Sequence, residues 1–223
     1  MQFILSFIYK LYDKGSIKRD TFLHKLHEKF FSSSFLVYFF FQVKISPNLS
    51  HKSNFRNLKH KFDLTTIILK ITLKKFIKID TSILEIGTGA FGILSIYFSK
   101  YTKKRIDSID ISKYNINSAL INIKYNNAKI NLFKSNIFEN VLSKYDVIFW
   151  NVPYYYPKKD YLYPLIDEVH NYLKEEGLLI IGYNSNPLKA NEVINYTKNN
   201  NKIEYYKTVK FSWNHHLISL IRK

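Results

Sequence analysis

Two short stretches carry residue types and spacings that could do chemistry. The first, Ile83-Leu84-Glu85-Ile86-Gly87-Thr88-Gly89-Ala90-Phe91-Gly92, is an apolar run ending in a glycine-rich turn, with a helix beginning near Ile93. Glycines there let the backbone turn tightly and approach a ligand where any Cβ would collide. The second, Asn151-Val152-Pro153-Tyr154, is a polar and aromatic loop that closes the apolar run Tyr145-Asp146-Val147-Ile148-Phe149-Trp150. In an open α/β sheet both loops emerge at the carboxyl ends of strands, where ligands bind. The first suits a cofactor and the second a substrate.

Gly87, Gly89 and Gly92 also satisfy G-x-G-x-x-G, so a nicotinamide or flavin nucleotide must be weighed. An acidic residue, Asp110, ends the next apolar run, Arg105-Ile106-Asp107-Ser108-Ile109-Asp110. Such a carboxylate accepts hydrogen bonds from the ribose hydroxyls of either NAD or S-adenosylmethionine. Two features favour the latter. Glu85 lies inside the strand, two residues before Gly87, where dinucleotide folds place an apolar residue. A substrate-type loop then follows at Asn151.

The elements that must position these loops follow from periodicity. Residues 3–12 and 20–31 read as helices, the second with Asp20 as N-cap and an apolar stripe of Phe22, Leu23, Leu26 and Phe30. Ser34 to Ile45 is rich in aromatic and β-branched residues and reads as a strand or hairpin, stopped by Ser46-Pro47-Asn48. Residues 48–61 read as an exposed loop. Beyond Leu64 the pattern alternates: helix 64–77, strand 82–87, helix 91–101, strand 105–110, helix 112–127, strands 129–134 and 145–150, helix 160–174, strand 177–183 and helix 187–199. Strands 203–210 and 215–222 form a terminal hairpin. Strands joined by helical crossovers imply a mainly parallel sheet. The expected fold is α/β and Rossmann-like, a seven-stranded sheet with helices on both faces and a C-terminal antiparallel hairpin. It divides into an N-terminal extension (1–61), a possible docking region for substrate, and a main domain (62–223).

At 223 residues the chain can bury a substantial core, and a 46% hydrophobic fraction excludes general disorder. It has no cysteine, so disulfides and thiolate metal sites are impossible and a reducing cytoplasm is the simplest compartment. Met1 to Tyr12 lacks a basic leader and a small-residue cleavage site, and the apolar run Phe35 to Phe41 is far short of a membrane span, so a soluble protein is expected. The formal charge of +17 has two readings. It suits an anionic partner, yet Lys, Asn, Ile, Tyr and Phe are all abundant while Arg is scarce, the profile of A/T-rich coding. Tyr155, Tyr156, Tyr161 and Tyr163, with Lys158 and Lys159 among them, could stack on a nucleic-acid strand, line a peptide groove or pack on the sheet. Trp213, His215 and His216 read as a solvated hairpin turn, with no metal site expected.

Taken together, Glu85-x-Gly87-x-Gly89, Asp110 and Asn151-x-Pro153-Tyr154 resemble the class I S-adenosylmethionine-dependent methyltransferases. The nearer likeness is to the branch holding the HemK-type glutamine methyltransferases and the small-domain rRNA N-methyltransferases. The resemblance runs from about Phe62 to the C-terminus, with a weaker likeness to the HemK-type helical domain before it. It implies S-adenosyl-L-methionine as cofactor and a protein, peptide or RNA methyl acceptor, with no membrane and no metal. Gly87, Thr88 and Gly89 would lie along the methionine part. Glu85 would organise that loop through an ordered water or a backbone amide. Asp110 would bind the ribose, with Ile111 flanking the adenine. Asn136 and Ile137 occupy the place where the family has Asp facing the adenine amine; Asn keeps an acceptor without the charge. Thr65 and Thr66 fall where relatives contact the cofactor, or serve as a helix N-cap.

For the Asn151 loop the resemblance implies a specific chemistry. An amide or exocyclic amine nitrogen is planar and a poor nucleophile because its lone pair is delocalised. Two acceptors on its N–H groups, the Asn151 side-chain oxygen and the carbonyl of Val152, would polarise it and aim its lone pair at the methyl group. Pro153 holds Val152 extended, and the Tyr154 ring can stack on the flat substrate group. Val152 stands where the family pattern has proline, which keeps the carbonyl but loosens the backbone aiming it. A cofactor-binding module without turnover and a nucleotide-dependent oxidoreductase are the alternatives.

Overall fold

The computed structural model describes residues 22–50, 60–153, 158–184, 189–198, 202–210 and 215–222. The expected helix over 3–12, the proposed cap Asp20, the loop residues Tyr154, Tyr155 and Tyr156, and Trp213 lie outside them.

The described residues begin with α1 (Phe22–Ser32), α2 (Ser34–Phe41) and a short helical turn α3 (Pro47–Ser50). Helix α4 (Leu64–Leu73) then leads into β1 (Ile83–Ile86), α5 (Ile93–Phe98), β2 (Ile106–Asp110), α6 (Lys113–Tyr125), β3 (Ile130–Lys134) and β4 (Tyr145–Asn151). A π-helical turn (Lys158–Leu162), α7 (Tyr163–Glu168) and a 3₁₀ turn (Val169–Asn171) precede β5 (Leu173–Asn184). Helix α8 (Ala190–Lys198), β6 (Ile203–Lys210) and β7 (His215–Arg222) complete it.

The seven strands form one sheet in the order β3-β2-β1-β4-β5-β7-β6. The first five run parallel, while β7 is antiparallel to both β5 and β6. This is the α/β sheet with a terminal hairpin that the sequence pattern implies. Two apolar clusters cover its faces. One joins α4, α5 and α6 to Phe31, Val37, Phe41 and Val43 of the N-terminal segment. The other joins α7 and α8 to the opposite side of β1, β4, β5 and β7. Strands buried on both faces are near-continuous hydrophobic runs, as Val147–Trp150 is and as Ile83–Ile86 is but for Glu85.

The structure corrects several expected elements. Ser34 to Ile45 is not a strand: Ser34–Phe41 is a helix, capped by Ser33, whose Oγ accepts the Leu36 amide at 3.3 Å. Its buried residues Val37 and Phe41 are four apart, a helical period hidden in an unbroken aromatic run. The expected helix over 160–174 is three short helical pieces ending at Asn171, and β5 starts at Leu173 rather than at 177. Glu176 adopts φ +57° and the β4–β5 register shifts between Tyr145 and Val147, so a polar bulge splits that strand. His215 and His216 belong to β7 rather than to a turn, and the His216 ring packs edge-on to Tyr183. The expected helices 64–77 and 91–101 are shorter at their ends, and of 187–199 the described residues form a helix over Ala190–Lys198. Among the described residues no helix is long and apolar enough to cross a membrane.

Candidate methyl-transfer site

β1 and β4 are neighbours at the sheet centre, with Ile86 opposite Trp150. That register brings Gly87 beside Asn151, so the two loops singled out by composition leave the same edge of the sheet side by side. Gly87 has φ +67°, and a Cβ on it would stand 2.9 Å from the Trp150 indole nitrogen. Gly89 has φ +66° with nothing within 4 Å of its Cβ position. The first glycine is therefore demanded by conformation and packing alike. The second opens on free space beside the loop, which is the room a ligand needs.

The loop is tied to β2. The Gly89 amide donates to Asp110 Oδ2 at 2.9 Å, and the Thr88 amide donates to the Ile109 carbonyl at 2.9 Å. Asp110 also accepts from the Ser112 amide at 2.8 Å and from Asn115 Nδ2 at 3.2 Å. Its carboxylate is thus fixed at the strand end, and Ile111 beside it is exposed.

Glu85 is buried, and its carboxylate is linked to the glycine loop through side chains. It accepts from the hydroxyls of Ser95 and Ser108 rather than from a loop amide. Ser108 Oγ lies 2.6 Å from Thr88 Oγ1, so the link to the glycine loop runs through a chain of hydroxyls. Burial pushes the Glu85 carboxyl up to about 7; hydrogen bonds from the Ser95 and Ser108 hydroxyls and from the Ser95 amide oppose this, and the charge of Asp110 adds to it. Ser95 and Ser108 escaped the sequence reading, although a serine next to Ile109 inside β2 was a signal that a buried polar group needed a partner.

Across the site, α4 begins with a capping box. Asp63 Oδ1 accepts the Thr66 amide at 2.7 Å while Thr66 Oγ1 accepts the Asp63 amide at 3.2 Å. The cap is therefore Asp63 and neither Thr65 nor Thr66. Thr65 is buried against Gly182 of β5, where a Cβ on the glycine would come 2.5 Å from its methyl group. Asn151 Nδ2 reaches this box, donating to Thr66 Oγ1 at 3.2 Å and more distantly to Asp63 Oδ1 at 3.4 Å. With the amide nitrogen turned there, Asn151 Oδ1 is the edge left for a substrate N–H. The Val152 amide donates to the Gly182 carbonyl at 2.8 Å, which anchors the loop to β5, and Pro153 is exposed.

Asn136 is exposed beyond β3, in a turn where its carbonyl accepts the Glu139 amide at 3.1 Å. Ile137 next to it has φ +48°, a costly conformation for a β-branched residue, and Ser135 Oγ donates to its carbonyl at 2.9 Å. The turn thus has a fixed shape that composition alone did not show.

Comparison with known proteins agrees with this geometry. A family model described as methyltransferase small domain matches residues 55–211. A ribosomal protein L11 methyltransferase of Thermosipho melanesiensis is 26% identical over 164 residues, covering 73% of this chain and 58% of that protein. A protein assigned N5-glutamine methyltransferase activity in Methanocaldococcus jannaschii is 34% identical over 131 residues, covering 50% of this chain and 66% of its own length. The chain thus spans less than two thirds of each of these relatives. Among solved structures, a methyltransferase of Pyrococcus furiosus superposes with a TM-score of 0.68 at 20% identity, covering 90% of this chain and 98% of that one. The chain belongs to the methyltransferase small domain family.

Proposed function

We propose that the chain is an S-adenosylmethionine-dependent N-methyltransferase acting on a planar amide or exocyclic amine nitrogen of a protein, peptide or RNA. The observation that carries this reading is Asn151, held by its amide nitrogen at the end of β4 beside the Gly87–Gly89 turn. A strand end with a restrained side-chain acceptor next to a glycine loop and a ribose-binding carboxylate suits nitrogen methylation. It gives an oxidoreductase nothing to use.

The residues present fit the cofactor. Gly87, Thr88 and Gly89 provide the close backbone approach, Asp110 a carboxylate placed at the ribose, Ile111 and Ile137 apolar cover for the adenine, and Asn136 an acceptor near its amine. Thr65 and Thr66 close the other side, and Glu85 braces the loop from below. Bound there, S-adenosylmethionine supplies a methyl group activated by its positively charged sulfur. The protein's part is positioning. Asn151 Oδ1 and the Val152 carbonyl each accept one N–H of the target nitrogen, Pro153 keeps Val152 extended, and Tyr154 offers a ring to stack on the substrate plane. Holding a nucleophile aligned while its N–H groups are polarised lowers the barrier without a strong base. A cytoplasmic setting suits such acceptors and a chain without cysteine.

The test has two arms. Calorimetry should show S-adenosylhomocysteine binding and no NADH binding; the reverse would make the protein an oxidoreductase. Tritiated methyl transfer into cell extract, fractionated into RNA and protein, should label one fraction. Cofactor binding without any label in either would reduce the chain to a binding module.

A further inference from the structure

Lysine-rich coding spreads charge evenly over a surface, and this surface is uneven. The connections that enter β1, β2 and β3 at their amino ends, residues 74–82, 99–105 and 126–129, carry three, four and one Lys or Arg, against the single carboxylate Asp80. The connections that leave β1 and β2 toward the cofactor loops, residues 87–92 and 111–112, carry none. Eight cations therefore line the edge of β1, β2 and β3 opposite the methyl-transfer site.

That edge is one continuous surface. The Lys103 amide donates to the Ile79 carbonyl at 2.7 Å, and Thr102 Oγ1 donates to the Thr81 carbonyl at 2.9 Å, joining the first two connections. Asn126 exchanges hydrogen bonds with the Lys44 backbone at 2.9 and 2.7 Å, which joins the third to the segment after α2. Lys100 Nζ donates to the Gln42 carbonyl. Burial holds the Lys100 ammonium below the usual lysine range, with Tyr101 opposing this and the charge of Lys44 adding to it.

Beside these cations lies a cleft of about 720 Å³, whose lining includes Phe35, Tyr38, Phe39, Lys44, Lys100 and Tyr125. Its rings are turned outward: Phe35 is 71%, Phe39 57%, Tyr38 52% and Tyr125 49% exposed. Phe35 and Phe39 lie one helical turn apart with ring planes 22° from parallel. A protein does not leave four large rings in water among ammonium groups for the sake of its own core. Exposed ring faces interleaved with lysines match a single nucleic-acid strand, whose bases stack while its phosphates are neutralised. An acidic peptide would use the cations and leave the rings without a counterpart.

We propose that this cleft and the lysine edge beside it form a docking surface for single-stranded RNA, on the side of the domain remote from methyl transfer. It holds an RNA acceptor, or the RNA around a protein acceptor, while the nitrogen to be methylated reaches the opposite edge. The surface needs no cofactor, so its failure and the failure of the methyltransferase reading are separate results.

The experiment is fluorescence anisotropy with a labelled, mixed-sequence 20-nucleotide single-stranded RNA, over a salt series and without cofactor. The charge-reversed variant Lys100→Glu/Lys103→Glu/Lys104→Glu should bind at least about tenfold more weakly, with the log–log salt slope shallower by about 2, since each lost phosphate contact removes about 0.7. Tyr38→Ala/Tyr125→Ala should lose roughly tenfold with an unchanged slope, because stacking releases no counterions. A control reversal at the other end of the strand order, Lys198→Glu/Lys202→Glu/Lys207→Glu in and beside β6, should stay within about threefold of wild type. Thermal melting and S-adenosylhomocysteine calorimetry establish that each variant is folded. Equal loss in both charge-reversed variants would overturn the proposal, showing diffuse attraction to net charge. Displacement of the RNA by polyglutamate at equal or lower concentration would overturn it in favour of an acidic protein.

Discussion

The backbone amide of Gly89 donates to Asp110 Oδ2 at 2.9 Å, so the residue offering room for a ligand and the residue offering it a charge are bonded to each other. Asp110→Ala would remove both a ribose acceptor and the strut that fixes the loop. Its affinity for S-adenosylhomocysteine should fall at least about tenfold, near 1.4 kcal/mol, while the fold persists in a thermal melt. Unchanged affinity by calorimetry would remove Asp110 from the cofactor site.

The two glycines should respond differently. Gly89→Asn keeps a residue that tolerates positive φ and puts its side chain into open space, so stability should fall by no more than about 1 kcal/mol. S-adenosylhomocysteine binding should nevertheless drop at least about tenfold. Gly87→Val meets both the wrong φ and the Trp150 ring, and should lose melting temperature as well as affinity. A Gly89→Asn protein that binds normally would show that the ligand lies elsewhere.

Asn151→Ala should cost on the order of 10²–10³ in kcat, the scale for one oriented polar contact at a transition state, and leave cofactor affinity nearly unchanged. Thr66→Val tests how that side chain is aimed. It removes the hydroxyl that accepts from Asn151 and closes the capping box, so stability should fall by about 1 kcal/mol and kcat by roughly tenfold. If Thr66→Val instead lost S-adenosylhomocysteine affinity at constant kcat, Thr66 would be a cofactor contact and not a support for Asn151.

The Glu85 carboxyl gives a pH signature. Its folded pKa of about 7 exceeds the ordinary carboxylate value near 4.5, so between those values the folded state binds a proton that the unfolded state has released. Its contribution is fully present below about 4.5 and is lost as pH rises through 7, a change of about 3 kcal/mol. Glu85→Gln keeps an acceptor for Ser95 or Ser108 without a charge to bury. Denaturant titrations at pH 5 and pH 8 should show the variant gaining on the wild type at the higher pH. Parallel pH dependence in the two proteins would exclude this role.

What could be read from the sequence was whatever repeats with a period or sits in a turn with few solutions. The parallel strands were legible because β1 and β4 are apolar runs between helical patterns. The glycine loop and the Asn151 loop were legible because their residue types answer one steric or hydrogen-bonding need. Ser34–Phe41 was misleading because aromatic residues fill its exposed positions too, which erases the helical period; the exposed Phe35 and Phe39 make that so. The links from Glu85 through Ser95 and Ser108 to Thr88, and from Asn151 to the box at Asp63, join residues distant in sequence. No local pattern announces such contacts.

The strand order carries a consequence for how the chain is assembled. Among the described residues β6 pairs with β7 alone, and β7 lies between it and β5. Until residues 215–222 are made, β5 presents an open edge along Leu178 to Tyr183, a run that is buried in the finished protein. A nascent chain stopped short of β7 therefore displays a long apolar strand edge, the template on which chains pair wrongly with one another. β7 covers that edge by pairing with β5 from Leu178 to Asn184, so this one pairing removes the template.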